Sequence, residues 1–355
     1  MQENLIPKKC IQPAYVKNFK CDGRFCGCRC CRDWQIVVDE DTYKKFSELD
    51  DADRTEIFKN IDWKRDLDSN VEVMTWKLRE DGLCSFLTAD GLCSIQKNHG
   101  EDFLTAICQS YPRVTYKFDE NFFEQSMTLT CPVAAQMILL PFEPITFVEV
   151  DDVKARAIIT LKKFSRSVDD FVSLQMNAIK ILQDRNFTIN QRLKNFYELL
   201  GGNFESNVEF NLKNHSLTIV DIFNKMYGAN LNERRKDELR GNYLLYRGKI
   251  LNDVQENFSN VLENYLVNEF FMRCYPNAFG GGDIHNARIF ITGYRLIEFA
   301  LVLAVISKSK MTVGDMAALI ISVNDTLDHN RGGMDAIINF IKSCDEKNFA
   351  SAMLE

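Results

Sequence analysis

Ten of the 12 cysteines in this chain fall within its first 131 residues, at Cys10, Cys21, Cys26, Cys28, Cys30, Cys31, Cys84, Cys93, Cys108 and Cys131. Only Cys274 and Cys344 lie beyond. A chain using cysteine merely as a small hydrophobe would scatter it through the core. Thiolates are soft donors, and a metal or iron–sulfur site needs several to converge. The first third must therefore fold so that separate cysteine segments meet.

The rest of the composition narrows the compartment and the partners. At 355 residues with 46% hydrophobic side chains, the chain can bury a sizeable core, so disulfides are not needed to compensate for small size. The amino-terminal segment MQENLIPKKCIQPAYVKNF has no apolar signal-peptide region. A cytoplasmic location is expected, where thiols stay reduced, and this shifts the cysteines from disulfides to metal binding. A net charge of −7 argues against a general nucleic-acid binder. The longest unbroken apolar runs, Phe299 to Ile306 and Val133 to Leu140, are too short to span a membrane and read as buried helices.

The texture changes near residue 150. Before it, strands and short helices mix. Glu40 to Leu49 and Glu101 to Gln109 read as helices, Val71 to Leu78 as a strand, and Val114 to Phe118 with Phe122 to Leu129 as a hairpin across Asp119-Glu120-Asn121. Cys131-Pro132 opens an apolar helix, with proline in the first turn. After it, apolar residues recur at three- and four-residue steps over 155–164, 168–185, 190–200, 217–226, 262–275, 286–307, 313–327 and 334–343. The expected fold is α+β: a cysteine-rich mixed part over 1–150 and a mainly α-helical part over 151–355.

The cysteines group as Cys21-x4-Cys26-x3-Cys30-Cys31, then Cys84-x8-Cys93 around the turn Ala89-Asp90-Gly91, then Cys108 ahead of Tyr111-Pro112-Arg113, then Cys131-Pro132. These segments, YVKNFKCDGRFCGCRCCRDWQIVVDEDTYKKF, CSFLTADGLCSIQKNHGEDFLTAICQSYPR and LTCPVAAQMIL, with LENYLVNEFFMRCYPN and the helical tail, resemble the flagellin lysine-N-methylase (FliB) family. The cysteine part alone also resembles a broader group labelled zinc- or iron-chelating.

The resemblance implies transfer of methyl groups from S-adenosylmethionine to lysine amines of flagellin, and a bound [4Fe–4S] cluster. Cys21, Cys26, Cys30, Cys31, Cys84, Cys93, Cys108 and Cys131 match its pattern; Cys10 and Cys28 look like extras. Eight thiols exceed the four that one cubane needs, and sequence does not choose among them. The alternative function is a zinc- or iron-chelating binding protein whose metal is structural.

Lysine methylation is a polar displacement: a neutral amine attacks the sulfonium methyl in line, given a donor pocket, an amine channel and a proton outlet. The radical pattern CxxxCxxC would start at Cys26 and Cys30, but its third position is Asp33. No glycine-rich dinucleotide fingerprint follows a strand. Tyr111 and Arg113 are the candidate catalytic pair, the guanidinium suited to a donor carboxylate; a helix-ending turn with a structural ion pair is the equal alternative. Asp283, after Gly280-Gly281-Gly282, is the candidate ribose ligand, against a solvated loop acid. Trp34 and Tyr43 suit a lysine channel through cation–π contact, although core packing explains both more simply. Cys274 is read as a buried thiol within a helix. The acidic run Asp39-Glu40-Asp41 reads either as a lysine-attracting surface or as an ordinary helix start.

Overall fold

The computed structural model of the protein describes residues 9–21, 23, 26–27, 29–65, 70–151, 155–161, 166–203, 211–308, 310–329 and 331–354. Cys28 lies outside the described residues. The fold is α+β, and the chain forms two compact units. One comprises Met1–Gln12, Val16–Val133 and Val148–Leu161; the other comprises Pro13–Tyr15, Ala134–Phe147 and Lys162–Glu355.

The first unit is built on a five-stranded sheet. Its strands are β1 (Cys10–Pro13), β4 (Arg113–Lys117), β5 (Phe123–Met127), β6 (Phe147–Val150) and β7 (Ile159–Thr160), in the order β6-β1-β5-β4-β7. β4 and β5 form the expected hairpin, with Arg113 opposite Met127 and Lys117 opposite Phe123. The Asp119 carboxylate accepts from the Asn121 and Phe122 amides at 2.7 and 2.8 Å, an aspartate turn that fixes the register. β1 pairs with β5 in parallel, and every residue of β5 is buried.

A second layer holds the helices α1 (Glu40–Ser47) and α2 (Asp51–Phe58) and an antiparallel pair, β2 (Ile61–Arg65) and β3 (Glu72–Trp76). Ile36, Val38, Phe46, Ile57, Trp76, Phe86, Ile95 and Leu104 close into one core. Asp39 starts α1 by accepting from the Thr42 amide at 3.1 Å, and also takes the Ala106 amide at 2.8 Å and Arg156 at 3.1 Å. Burial pulls its pKa up, but these donors outweigh burial and hold it below the usual carboxylate range. Asp39 is thus a helix cap and an organising ion pair.

The second unit is helical: α5 (Pro132–Leu139), α6 (Val168–Leu182), α7 (Ile189–Leu199), α8 (Leu212–Met226), α9 (Glu233–Met272), α10 (Asp283–Lys308), α11 (Val313–His329), α12 (Arg331–Ser343) and α13 (Glu346–Met353). Caps explain several starts: the Ser167 hydroxyl accepts from the Asp170 amide at 3.1 Å, and Thr188 and Gln191 form a reciprocal capping box. α9 runs 40 residues with a break at Phe258 (φ −137°, ψ 21°). Beyond the break it is buried on every side from Val261 to Met272, and α10 is its principal neighbour.

Charges inside this core are paired, as desolvation requires. Glu263, 1% exposed, accepts from Arg192 at 2.8 Å and from Arg185 at 2.9 Å. Arg273 lies between Glu269 and Asp328. Arg295 meets Glu298 at 2.5 Å, Asn190 at 2.9 Å and the Met353 carbonyl at 2.9 Å. α10 contains an 18-residue window of mean hydropathy 2.0, long and apolar enough for a membrane span. Counting unbroken apolar runs misses that window because polar residues interrupt it. Some 78% of the window is buried inside the fold.

Two local expectations are corrected. Of the helix expected over 155–164, the described residues 155–161 are extended or bent and contribute β7, which pairs with β4 in the sheet. Cys274 lies just past α9 rather than within it, at φ 61°. Its amide donates to the Phe271 carbonyl and that of Tyr275 to the Phe270 carbonyl, both at 3.0 Å. These two bonds make a Schellman motif, with cysteine where glycine is usual.

Candidate metal centre

Three segments of the first unit bring thiols together. Cys30 and Cys31 occupy a 3-10 turn, Arg29–Cys31, whose sulfurs lie 3.8 Å apart. The turn is pinned on both sides: the Trp34 indole donates to the Cys30 carbonyl at 2.6 Å, and the Cys84 amide donates to the Cys31 carbonyl at 2.8 Å. Cys84 ends a turn closed by the bridge Leu78–Cys84, and Cys93 ends the next, closed by the bridge Leu87–Cys93. Within it the Gly91 amide donates to the Thr88 carbonyl at 3.0 Å, at a φ of 79° that favours glycine. Cys93 then starts α3 (Ser94–His99). Cys108 sits on α4 (Ala106–Ser110), its amide capped by the Thr105 hydroxyl at 3.3 Å. The helix expected over 101–109 divides at Leu104 and Thr105, and this break lets Thr105 cap the turn that carries Cys108.

Cys84 belongs to the core of this unit, and Cys31, Cys93 and Cys108 pack against it. Their electrostatics show mutual proximity. Burial pushes Cys108 up to about 12, with Cys93, Cys84 and Cys30 adding to it. Cys84 and Cys93 are raised chiefly by burial, and both feel Cys30. Cys31 is raised by its sulfur contact with Cys30, then by burial, then by Cys84 and Cys108. The same contact lowers Cys30 to about 7 against the opposing effect of burial. A bound cation reverses such burial penalties.

Cys21 is exposed, and the Cys26 thiol points to the Gly23 carbonyl at 3.8 Å. Cys131 is buried at the entrance to α5 and lies within electrostatic reach of Tyr111. Cys10 is buried beside Phe123 in β1, raised to about 12 by burial and then by Glu124. Cys274 and Cys344 belong to the helical unit. Electrostatic and packing contacts link five of the eight family-pattern cysteines, Cys30, Cys31, Cys84, Cys93 and Cys108, to one another, and Tyr111 feels both Cys131 and Cys30.

The donor set fits an iron–sulfur cluster in kind. Among the described residues, no three His, Cys, Asp or Glu side chains gather around a single metal position. Zinc and iron–sulfur clusters both take thiolate ligands, so the donor type suits either.

Tyr111 lies beside this group. Its hydroxyl meets the Thr130 hydroxyl at 3.3 Å, and its ring stands 6.1 Å from Trp34. Burial raises the phenol well above its ordinary pKa, so it is a hydrogen-bond donor at neutral pH and not a base. Arg113 donates to the Phe19 carbonyl at 3.3 Å and lies over the Phe19 ring at 5.1 Å. Asp283 is the first residue of α10, and both its oxygens accept from Arg166, at 2.5 and 2.7 Å. Asp283 belongs to the helical unit, whereas Tyr111 and Arg113 belong to the thiol-bearing one. Tyr43 stacks on Phe58 at 4.8 Å, a packing role. Sequence reasoning missed Thr130 as the partner of Tyr111. The hairpin brings them together, since the Thr128 amide donates to the Pro112 carbonyl at 3.0 Å.

The helical unit matches a family model described as the FliB lysine N-methylase C-terminal domain, over residues 194–354. The flagellar biosynthetic protein FliU of Salmonella muenchen is 33% identical over 157 residues, 44% of this chain and 85% of that protein. The lysine-N-methylases of Salmonella choleraesuis and Salmonella typhimurium are 34% and 33% identical over 130 residues, 36% of this chain. The match spans only 32% of each of those two lysine-N-methylases. No solved structure matches the chain.

Proposed function

The chain belongs to the FliB lysine N-methylase family, and on that premise we propose that it transfers methyl groups from S-adenosylmethionine to lysine side chains of flagellin. The observation that carries this reading is the similarity to two proteins named lysine-N-methylase and to one named for flagellar biosynthesis. The reaction falls in the cytoplasm, before flagellin is exported.

In this reading a [4Fe–4S] cluster is held by four of Cys30, Cys31, Cys84, Cys93 and Cys108. When bound it supplies an iron site for the methionyl end of the donor, or rigidity to the small core. The support is the convergence of these thiols from three segments, with Cys84 in the core and Cys31, Cys93 and Cys108 packed against it. Methyl transfer itself is polar. The lysine amine attacks once it is neutral, so the protein's tasks are alignment and removal of the ammonium proton. Tyr111, protonated at neutral pH, donates a hydrogen bond; Arg113 offers a guanidinium to the donor carboxylate.

The test begins with anaerobic purification and measurement of iron, acid-labile sulfide and zinc, followed by incubation of purified flagellin with the donor and mass mapping of methylated lysines. Brown protein with stoichiometric iron and sulfide is expected. Cys84→Ser and Cys108→Ser should lose most of the iron, and Cys344→Ser none. Colourless protein carrying one zinc refutes the cluster in favour of the structural-metal alternative. Unmethylated flagellin in the presence of an intact cluster and donor refutes the activity.

A further inference from the structure

We propose that Cys30 and Cys31 form a redox-sensitive pair that closes to a vicinal disulfide by exchange with a small-molecule disulfide and so withdraws two donors from the thiol group. The withdrawal rests on the metal reading above; the closure itself does not.

The argument is geometric. The two sulfurs already touch at 3.8 Å, whereas a disulfide bond is about 2.05 Å long. Both side chains are half-buried rather than sealed, so a small oxidant has access. The carbonyls of both residues are held, one by the Trp34 indole and one by the Cys84 amide, so the turn presents its sulfurs to each other. Closing a ring across a single peptide bond within a pinned turn strains it. Strained disulfides are the readily reduced, regulatory ones.

The chemistry balances without another reactant. One thiolate attacks the small disulfide, forming a mixed disulfide and releasing one small thiol. The neighbouring thiol loses its proton and displaces the second small thiol, forming the Cys30–Cys31 bond. Two protein thiols are oxidised, one small disulfide is reduced, and both thiol protons leave on the released thiols.

The experiment treats metal-free, reduced full-length protein with oxidised glutathione, alkylates the free thiols and maps peptides by mass. The expected product is a peptide lacking the mass of two hydrogens across Cys30–Cys31, fully restored by dithiothreitol. Cys31→Ser, checked for folding by circular dichroism, should instead retain glutathione on Cys30 because nothing resolves the adduct. A stable glutathione adduct on the unsubstituted protein, or a link from Cys30 or Cys31 to any other cysteine, overturns the proposal. Reduced and oxidised samples are then reconstituted with ferrous iron and sulfide. Loading of the reduced form alone, with an at least fivefold difference in iron content, supports the withdrawal; equal loading overturns it. Failure of both to load overturns the metal reading and the withdrawal with it, and the switch stands on the mass result.

Discussion

The core of the helical unit contains a histidine that folding forbids to carry charge, and acid should expose it. His215, on α8, is fully buried. Its Nδ1 lies 2.6 Å from the Ala352 carbonyl, which can only accept, so Nδ1 carries the proton and Nε2 accepts from the Tyr243 hydroxyl at 2.9 Å. Tyr243 in turn accepts from Arg247 Nε at 3.2 Å. Every donor in this relay points one way, and a proton on Nε2 would displace the one that the Tyr243 hydroxyl donates. Burial first, then Arg295 and Arg247, push the His215 pKa from 6.5 down to about 3. The sign follows from linkage: above 6.5 neither folded nor unfolded chain binds this proton. Below 6.5 the unfolded chain takes it up while the folded chain refuses it until about pH 3, so stability is lost as pH falls. The slope is about 1.4 kcal/mol per pH unit, or roughly 2 kcal/mol between pH 6.5 and 5. Urea unfolding followed by circular dichroism at pH 7, 6 and 5 measures it, with His215→Gln as the non-titrating reference. The variant starts weaker, by about 1–3 kcal/mol for imperfect hydrogen bonds. The gap between the two proteins should shrink by roughly 2 kcal/mol on going to pH 5. A gap that stays constant from pH 7 to 5 would show that His215 titrates normally, and the relay argument would fail.

Glu263→Ala should cost about 3–5 kcal/mol, because it leaves Arg192 charged and buried, whereas Arg185→Ala, at the exposed end of the same network, should cost at most about 1 kcal/mol; thermal unfolding that ranks the two equally would refute that reading. Gly333→Ala places a methyl group 2.5 Å from the Thr326 carbonyl oxygen at the contact of α11 with α12. A loss of about 1–3 kcal/mol in chemical unfolding is expected, and an unchanged midpoint would mean that the helices separate freely.

What the sequence revealed tracks where its signal is local. The β4–β5 hairpin was legible from β-prone runs on either side of an aspartate turn, and α6, α7, α8, α10 and α11 from apolar spacing. The first part of α9 was not, because Glu233 to Asn257 is charged on most faces and bears apolar residues at irregular intervals. α2 and β2 were missed for a similar reason: Asp51–Phe58 buries only Ile57, and β2 buries no residue fully. At the candidate site, the crowding of cysteines into the first third was legible in the sequence. It did not identify which of them meet, because the segments of Cys31 and Cys84 are joined by a turn-to-turn backbone bond rather than by any periodic element. Asp283 shows the same limit from the other side: its partner, Arg166, lies more than a hundred residues away.

The three thiol segments are separated by long stretches of chain, Cys31 from Cys84 and Cys84 from Cys108. Whatever bonds to all three closes two large loops in the unfolded chain, and the entropy of such closure grows with loop length. With the cluster proposed above, loading would act as a cross-link, and the half-life of the polypeptide in the cell would follow iron supply. Protein made during iron scarcity would be cleared by proteolysis before any difference in its catalysis could be measured.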